Sequence, residues 1–303
     1  MPRRALKAAL TLGLAAALAF WALSRPARLP PGATAGLAGD PERGARIFAM
    51  GGCAACHAAP GAEGEARLRL GGGRRFVTPF GTFVAPNISP DPEHGIGRWS
   101  VADLADALLL GTSPDGRHYY PALPWTSYAR ARPAEVADLH AYLMTLPPVA
   151  STPPGHELGF PFSIRRGIGL WKRLFLRRDW VVPDEGLSAE ARRGREIVEG
   201  WGHCGECHTP RGALGQPLYD RWLGGAPNPV GKGRIPNLTP AALDWSAEDI
   251  VLYLKTGLTP DYDSVGGEMA EVVTNLSTLP EADLRAIAAY LKALPPVPEP
   301  ARR

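Results

Sequence analysis

Apolar residues recur every three or four positions in several short segments of the chain, which is the spacing of one face of a helix. In the segment 100–111, Leu104 and Leu108 lie on such a face, with Ser100 as a suitable N-cap and Gly111 as a suitable stop. No segment alternates apolar and polar residues over a useful length, as a half-buried strand would. The pattern therefore predicts an all-α protein.

This helical unit occurs twice along the chain. Asn87 and Trp99 in the first copy match Asn237 and Trp245 in the second, and 16 residues separate each Trp from the Asp of a following Pro-Asp pair. Each copy begins with a Gly-containing helix and ends with a helix that closes on Ala-Tyr-Leu. The expected parts are an N-terminal apolar helix, a first domain, a linker and a second domain, at 1–30, 38–149, 150–186 and 187–297.

The N-terminal helix has the features of an export signal. Arg3, Arg4 and Lys7 precede an uncharged, mostly apolar run from Ala8 to Ser24. Such a run is either a signal peptide that is removed or a short membrane anchor that is kept. In both cases the rest of the chain lies on the periplasmic side of the bacterial inner membrane, anchored or exported, because the positive end stays inside.

The linker contains a basic amphipathic segment. Ile164, Ile168, Trp171 and Phe175 occur at helical spacing among six Lys and Arg residues. We expect a helix that packs across both domains, because long basic side chains can cover apolar surface. The alternative is a helix that lies on anionic lipid.

Composition and charge exclude some functions. The 303 residues are 45% apolar, which is enough for two folded cores. The net charge of +3 is too small to indicate a nucleic-acid partner. No Ser-His-Asp pattern or phosphate-binding loop is present, so the sequence predicts no substrate site of its own.

All four cysteines of the chain lie in two Cys-x-x-Cys-His motifs, which are attachment signals for c-type haem. The two thiols of one motif bond to the two vinyl groups of one porphyrin, and the following His binds the iron. The sequence therefore predicts two covalently bound haem c groups. The residues that would hold them are Cys53, Cys56 and His57 in the first copy, and Cys204, Cys207 and His208 in the second.

Other uses of these motifs fit less well. A zinc site needs Cys and His at ligand spacing in paired knuckles, whereas 147 residues separate the two cysteine pairs here. A thioredoxin-like pair gives no reason for the following His and would lie in a βαβ pattern, which is missing.

The chain resembles the dihaem cytochrome c subunits of bacterial membrane-bound dehydrogenases, such as the alcohol and gluconate dehydrogenase complexes. The stretches that carry the resemblance are TPFGTFVAPNISPDPEHGIGRWS, SPDGRHYYPALPWTSY, GHCGECHTPRGALG and GGEMAEVV. The resemblance runs from about Asp40 to Pro296 and implies tandem class I cytochrome c domains. It implies a dehydrogenase subunit as electron donor, and a quinone, a terminal oxidase or another cytochrome as acceptor.

A haem that only passes electrons needs a second axial ligand, and Met is the usual one. In the second copy Met269 follows Asp261 by 8 residues, after Gly266 and Gly267, which would let the loop approach the ring. Spacing and the family match both favour Met269 as an iron ligand.

The first copy lacks this methionine. Leu123 stands 8 residues after Asp115 and cannot bind iron. Three possibilities remain: His118 from the same loop, Met144 from the closing helix, or no protein ligand. His118 is the preferred ligand among these.

The repeated polar and aromatic residues have two interpretations. Asn87, Asn237, Trp99 and Trp245 can bind haem propionates or hold the ligand loop, or they can cap helices and fill the core.

The sequence is compatible with two functions. The first is an electron carrier that forms one subunit of a dehydrogenase complex. The second is a haem enzyme or small-ligand binder, in which an open first haem reacts with peroxide or a sulfur compound. Coordination of the first haem discriminates between them.

Overall fold

The computed structural model describes residues 3–229 and 233–298. Residues 1–2 of the expected N-terminal part and residues 230–232 of the expected second domain lie outside the described residues. The helices before the linker are α1 (Arg3–Leu23), α2 (Pro41–Met50), α3 (Cys53–His57), α4 (Val101–Leu110), α5 (Trp125–Tyr128) and α6 (Pro133–Leu143). The later helices are α7 (Gly167–Phe175), α8 (Ala189–Arg195), α9 (Gly205–His208), α10 (Ala247–Thr256), α11 (Glu268–Leu276) and α12 (Glu281–Ala293).

The chain is mainly helical, as the sequence pattern predicts, but it also has short strands. Strands β1 (Arg75–Thr78), β2 (Gly81–Val84) and β3 (Glu157–Leu158) form an antiparallel sheet in the order β1-β2-β3. Strands β4 (Ala226–Pro227) and β5 (Arg234–Ile235) form an antiparallel pair. The sequence did not predict them because strands of two to four residues are too short to show alternation.

The predicted caps of α4 are confirmed and recur in α10. Ser100 accepts a hydrogen bond from the backbone of Asp103, whose side chain accepts one from the Ser100 backbone in return. Ser246 and Asp249 form the same capping box in α10. Gly111 ends α4 at a φ of 58°, in the left-handed region that glycine adopts without strain.

Each half of the molecule is built on one crossing of its first and last helices. The helix α2 packs against α6, and α8 packs against α12. A glycine allows each close approach: a Cβ on Gly44 would overlap the Asp138 carbonyl, and one on Gly194 would overlap the Ala286 carbonyl. An aromatic contact also closes the first crossing, where the Phe48 and Tyr142 rings meet edge to face at 5.2 Å between centroids.

The two halves share one continuous apolar core. The Tyr128 ring of the first half lies 5.1 Å from the Trp201 ring of the second, measured between centroids. Helix α11 reaches the first half through an ion pair of 2.7 Å between Glu271 Oε2 and Arg67 Nη1. The halves are therefore joined by both apolar and charged contacts.

The linker helix α7 packs across both halves, as the sequence predicts. The Trp171 ring is 5.7 Å from the Trp125 ring of the first half, and its Nε1 donates to the Leu214 carbonyl of the second at 2.9 Å. Ile164 lies before the helix begins. The segment thus holds the two halves in one arrangement.

Helix α1 has no buried residues along its length. In the part of the chain that the structure describes, it is the helix that is long and apolar enough to cross a membrane. Length and composition alone do not separate an anchor from an export signal.

Candidate haem sites

Each Cys-x-x-Cys-His motif forms a short helical turn. The first turn is α3, which begins at Cys53 and ends at His57, and the second is α9, which directly follows Cys204. Residues three apart in a helix lie on one side, so the two thiols of a motif face the same way. All four thiols are free. This arrangement suits two bonds to one planar group.

The histidine of each motif is oriented by a backbone carbonyl. His57 Nδ1 donates to the Pro86 carbonyl at 2.8 Å, and His208 Nδ1 donates to the Pro236 carbonyl at 2.8 Å. The Nε2 lone pair of each ring is therefore left for a metal, which is the usual outer-shell arrangement of a ligating histidine. Burial lowers the pKa of both rings and so favours the neutral form that binds metal.

The sequence alone did not point to these two carbonyls. A Pro-Asn pair precedes a Ser or Thr two positions on in both copies, at Pro86 and at Pro236. That recurrence is the signal that could have identified them.

The thiols fit a thioether better than a metal-bound thiolate. Burial raises the pKa of Cys53 and of Cys204 to about 12, because a buried thiolate is poorly solvated. A thioether has no charge, so its burial has no such cost. Within residues 3–229 and 233–298, no three His, Cys, Asp or Glu side chains cluster to hold a metal ion by themselves. A haem, whose porphyrin supplies four of the iron ligands, fits this donor set.

The two motifs lie close to each other across the contact between the halves. His203, beside the second motif, has Nε2 at 3.2 Å from the Gly51 carbonyl, beside the first. Burial is the main cause of the raised pKa of Cys56, and the charges of Glu268 and Cys207 in the second half raise it further. Groups bound at the two motifs would therefore be near neighbours.

The loops that follow α4 and α10 match residue by residue. Tyr119 N donates to the Gly111 carbonyl at 2.8 Å, and Val265 N donates to the Gly257 carbonyl at 2.7 Å. Counting 12 residues on from each glycine reaches Leu123 in the first loop (111 to 123) and Met269 in the second (257 to 269).

Both side chains are partly buried and pack against the core. Leu123 thus occupies the place in the first half that Met269 has in the second. The loop of the first half therefore places a hydrocarbon side chain where the loop of the second half places a thioether.

His118 does not face this position in the structure. Its Nε2 donates to the Ser24 carbonyl at 2.9 Å, and its Nδ1 accepts from Lys172 Nζ at 3.1 Å. Both ring nitrogens are therefore engaged by the end of α1 and by α7. This geometry disfavours the prediction that His118 is an iron ligand, because neither nitrogen has a free lone pair.

Met144 is also placed away from the loop. It caps the C-terminus of α6 and follows Tyr-Leu, as Lys292 does in the second half. Lys292 is exposed, and its Nζ donates to the Trp245 carbonyl at 2.9 Å. By this correspondence Met144 lies on the outer side of its closing helix. Met50 is buried in the core.

The repeated asparagines tie the end of each half to its middle. Asn87 Nδ2 donates to the Val149 carbonyl at 2.6 Å, and Asn237 Nδ2 donates to the Val297 carbonyl at 2.8 Å. Each Oδ1 accepts a backbone N–H two residues on, so each side chain also closes a turn. These contacts give both asparagines a structural role.

The repeated tryptophans support the same regions. Trp99 and Trp245 are half-buried and pack against the core. The Trp99 carbonyl accepts from His140 Nε2 at 2.9 Å, and the Trp245 ring meets Tyr253 edge to face at 5.2 Å between centroids. The structure brings these residues to the helix packing of each half.

The variant His118→Ala tests the placement of His118. We expect the visible and EPR spectra of both haems to be unchanged, because the ring binds Ser24 and Lys172 instead of iron. The measurement is low-temperature EPR of the oxidised protein, with His140→Ala as a matched control on another ring–carbonyl contact. Loss of a bis-His signal in His118→Ala alone would contradict this placement.

Comparison with known proteins agrees with this geometry. The family model "Cytochrome c" matches residues 41–147, and "Cytochrome C oxidase, cbb3-type, subunit III" matches residues 189–291. A "Diheme cytochrome c-type" protein of Cereibacter sphaeroides is 58% identical over 295 residues, which cover 97% of this chain and 99% of that protein. The chain belongs to the dihaem c-type cytochromes. It therefore carries two covalently bound haem c groups in two cytochrome c domains, and its fold is the all-α arrangement expected from sequence with short strands added.

Relatives of this dihaem cytochrome c include larger dehydrogenase subunits. The "Fructose dehydrogenase cytochrome subunit" of Gluconobacter japonicus is 38% identical over 84% of this chain and 52% of its own length. The "Alcohol dehydrogenase (quinone), cytochrome c subunit" of Gluconobacter oxydans is 37% identical over 85% of this chain and 55% of its own length. The chain spans about half the length of these two subunits.

Proposed function

We propose that this dihaem cytochrome c carries electrons from a dehydrogenase subunit to a quinone, a terminal oxidase or another cytochrome. Its relatives are named as cytochrome subunits of alcohol, fructose and gluconate dehydrogenases, which supports a dehydrogenase as the donor. The observation that carries the proposal is the closeness of the two motifs, linked through His203 and Gly51. When bound, each haem supplies a one-electron couple.

The residues of the chain have defined tasks in this function. Cys53 and Cys56 attach the first haem, and Cys204 and Cys207 attach the second. The carbonyls that bind the Nδ1 atoms of His57 and His208 hold each ring in place and fix its tautomer. We propose Met269 as the second axial ligand of the second haem. The proposed domain limits are those expected from sequence, at 38–149 and 187–297.

The proposed location is the periplasmic side of the inner membrane, with α1 kept as an anchor. The support is the length of α1, its exposed apolar surface and its basic N-terminal end. An anchor would keep the haems beside a membrane-bound donor and acceptor.

The alternative is a first haem that binds or reacts with a small molecule. Leu123 at the position of Met269 is the observation in its favour. The named relatives favour the carrier, because they are cytochrome subunits of dehydrogenases.

The function is tested with membranes that contain the tagged protein. We expect a dehydrogenase subunit to co-purify, and its substrate to reduce both haems within the turnover time of the complex. The matched control is Cys204→Ala with Cys207→Ala, which should keep one haem and accept half the electrons. A protein that no co-purified dehydrogenase reduces, but that turns over peroxide or a sulfur compound, would contradict the carrier function.

A further inference from the structure

The end of α1 is built into the folded body. Ser24 is fully buried, its carbonyl accepts from His118 Nε2 at 2.9 Å, and its Oγ accepts from Arg166 Nε at 3.0 Å. Arg173 Nε donates to the Leu23 carbonyl at 2.5 Å. Two arginines of the linker thus bind the C-terminal end of α1, where a helix presents unpaired carbonyls. These contacts fix the direction in which α1 leaves the body.

The surface around this end is apolar and basic. Trp21 is 56% exposed and has Arg25 and Arg166 over its ring, at 5.4 and 5.6 Å from the ring centroid. Leu174 follows Arg173 on α7 and is 72% exposed. We use the name rim for the exposed apolar side chains of the linker at this surface, which are Phe160, Phe162, Ile164 and Leu174.

The rim has the charge pattern of a lipid-binding surface. The segment 159–178 contains six Lys and Arg residues and no Asp or Glu. Single exposed apolar side chains are ordinary on a soluble protein, but four of them among cations and beside an apolar helix are not. Tryptophan and arginine side chains are typical of the boundary between lipid and water.

We propose that the rim lies in the headgroup region of a bilayer with anionic lipid and holds the two haem domains against the membrane. This inference rests on the proposed anchoring by α1. Continuity with α1 gives the occupant: a bilayer that contains the helix must begin where the helix enters the body, at Leu23 and Ser24. Because Ser24 binds His118, the rim and the loop 111–123 of the first domain are held as one unit.

The test is the solvent accessibility of a nitroxide label on the rim in the full-length holoprotein. The four native cysteines are bonded to haem, so Leu174→Cys adds the free thiol that takes the label. Leu252→Cys is the matched control, because Leu252 is 48% exposed on α10 of the second domain. The protein is reconstituted in phosphatidylcholine vesicles with phosphatidylglycerol, and EPR power saturation compares oxygen with a water-soluble nickel chelate.

We expect the oxygen-to-nickel accessibility ratio to be several-fold higher at 174 than at 252. Equal ratios at the two positions would overturn the proposal. A label at 174 that is shielded from both reagents would also overturn it, because a protein would then cover the rim.

Intact mass separates this proposal from the anchoring. A mass that lacks residues of α1 contradicts the anchor, and the same labelled protein is then added to preformed vesicles. A raised ratio at 174 with phosphatidylglycerol would still support the rim, and a ratio equal to that at 252 would overturn it. The variant Arg173→Gln, which removes a charge at the rim, should lower the ratio at 174 and leave the haem spectra unchanged.

Discussion

Replacing Leu123 with methionine is expected to raise the midpoint potential of the first haem by on the order of 100 mV, within the roughly 0.8 V that axial ligands span. Leu123 holds the place that Met269 has in the second loop, and both loops are fixed by the same hydrogen bond to a glycine carbonyl. A thioether at this place would supply an iron ligand that favours the reduced state. Redox titration followed in the visible region measures the change.

The mirrored variant Met269→Leu is the control for this prediction. It should lower the potential of the second haem and remove the near-infrared band of His/Met ligation. Carbon monoxide gives a second measurement, because the reduced first haem of the native protein should bind it and that of Leu123→Met should not. If Leu123→Met changed neither the potential nor carbon monoxide binding, the loop would not lie over the iron, and the correspondence between the two loops would fail.

The internal repeat explains why much of the fold could be predicted from sequence. The caps of α4 and α10 use local signals, a serine with an aspartate three residues on and a glycine at the end, so they can be recognised without tertiary structure. The Cys-x-x-Cys-His motifs are equally local, because one helical turn contains every residue that attaches the haem and its first axial ligand.

Sequence spacing is a weak guide where distant segments decide the role of a residue. His118 lies in the loop 111–123, but its partners Ser24 and Lys172 are 94 and 54 residues away along the chain. The spacing within the loop carries no information on those partners, so it favoured a ligand where the structure shows a contact with α1 and α7. The short strands escaped prediction for a similar reason, because β3, which pairs with β2, begins only at Glu157.

A buried carboxylate joins three parts of the molecule at the contact between the halves. Glu199 is fully buried, and its carboxylate accepts from Val181 N at 2.5 Å and from Val182 N at 3.0 Å. It also accepts from the Tyr290 hydroxyl at 2.6 Å. Arg130 of the first domain has Nε at 3.8 Å from Glu199 Oε2, and its side chain is 1% exposed. The matching position in the first half, five residues after the glycine of the first helix, is an alanine, so the repeat did not reveal it.

The variant Glu199→Ala is expected to lower the free energy of unfolding by about 3–5 kcal/mol, the usual cost of removing one member of a buried charge pair. Two backbone N–H groups and the Tyr290 hydroxyl would lose their acceptor, and Arg130 would remain buried without its carboxylate. Burial raises the pKa of Glu199, so its carboxylate is stable in this place only through these donors. Guanidinium unfolding of the holoprotein, followed by far-ultraviolet circular dichroism, measures the loss.

The matched control is Glu196→Ala, one helical turn earlier. The Glu196 side chain is 41% exposed and pairs with Arg193 at 3.2 Å between Oε2 and Nη1, so we expect a change within about 0.5 kcal/mol. The difference between the two variants isolates the buried network from the general effect of removing a glutamate. Equal unfolding midpoints for the two variants would mean that the contacts of Glu199 do not hold the linker and the two domains together. The arrangement that keeps the haem motifs close would then depend on the apolar core and the ion pairs of α11 instead.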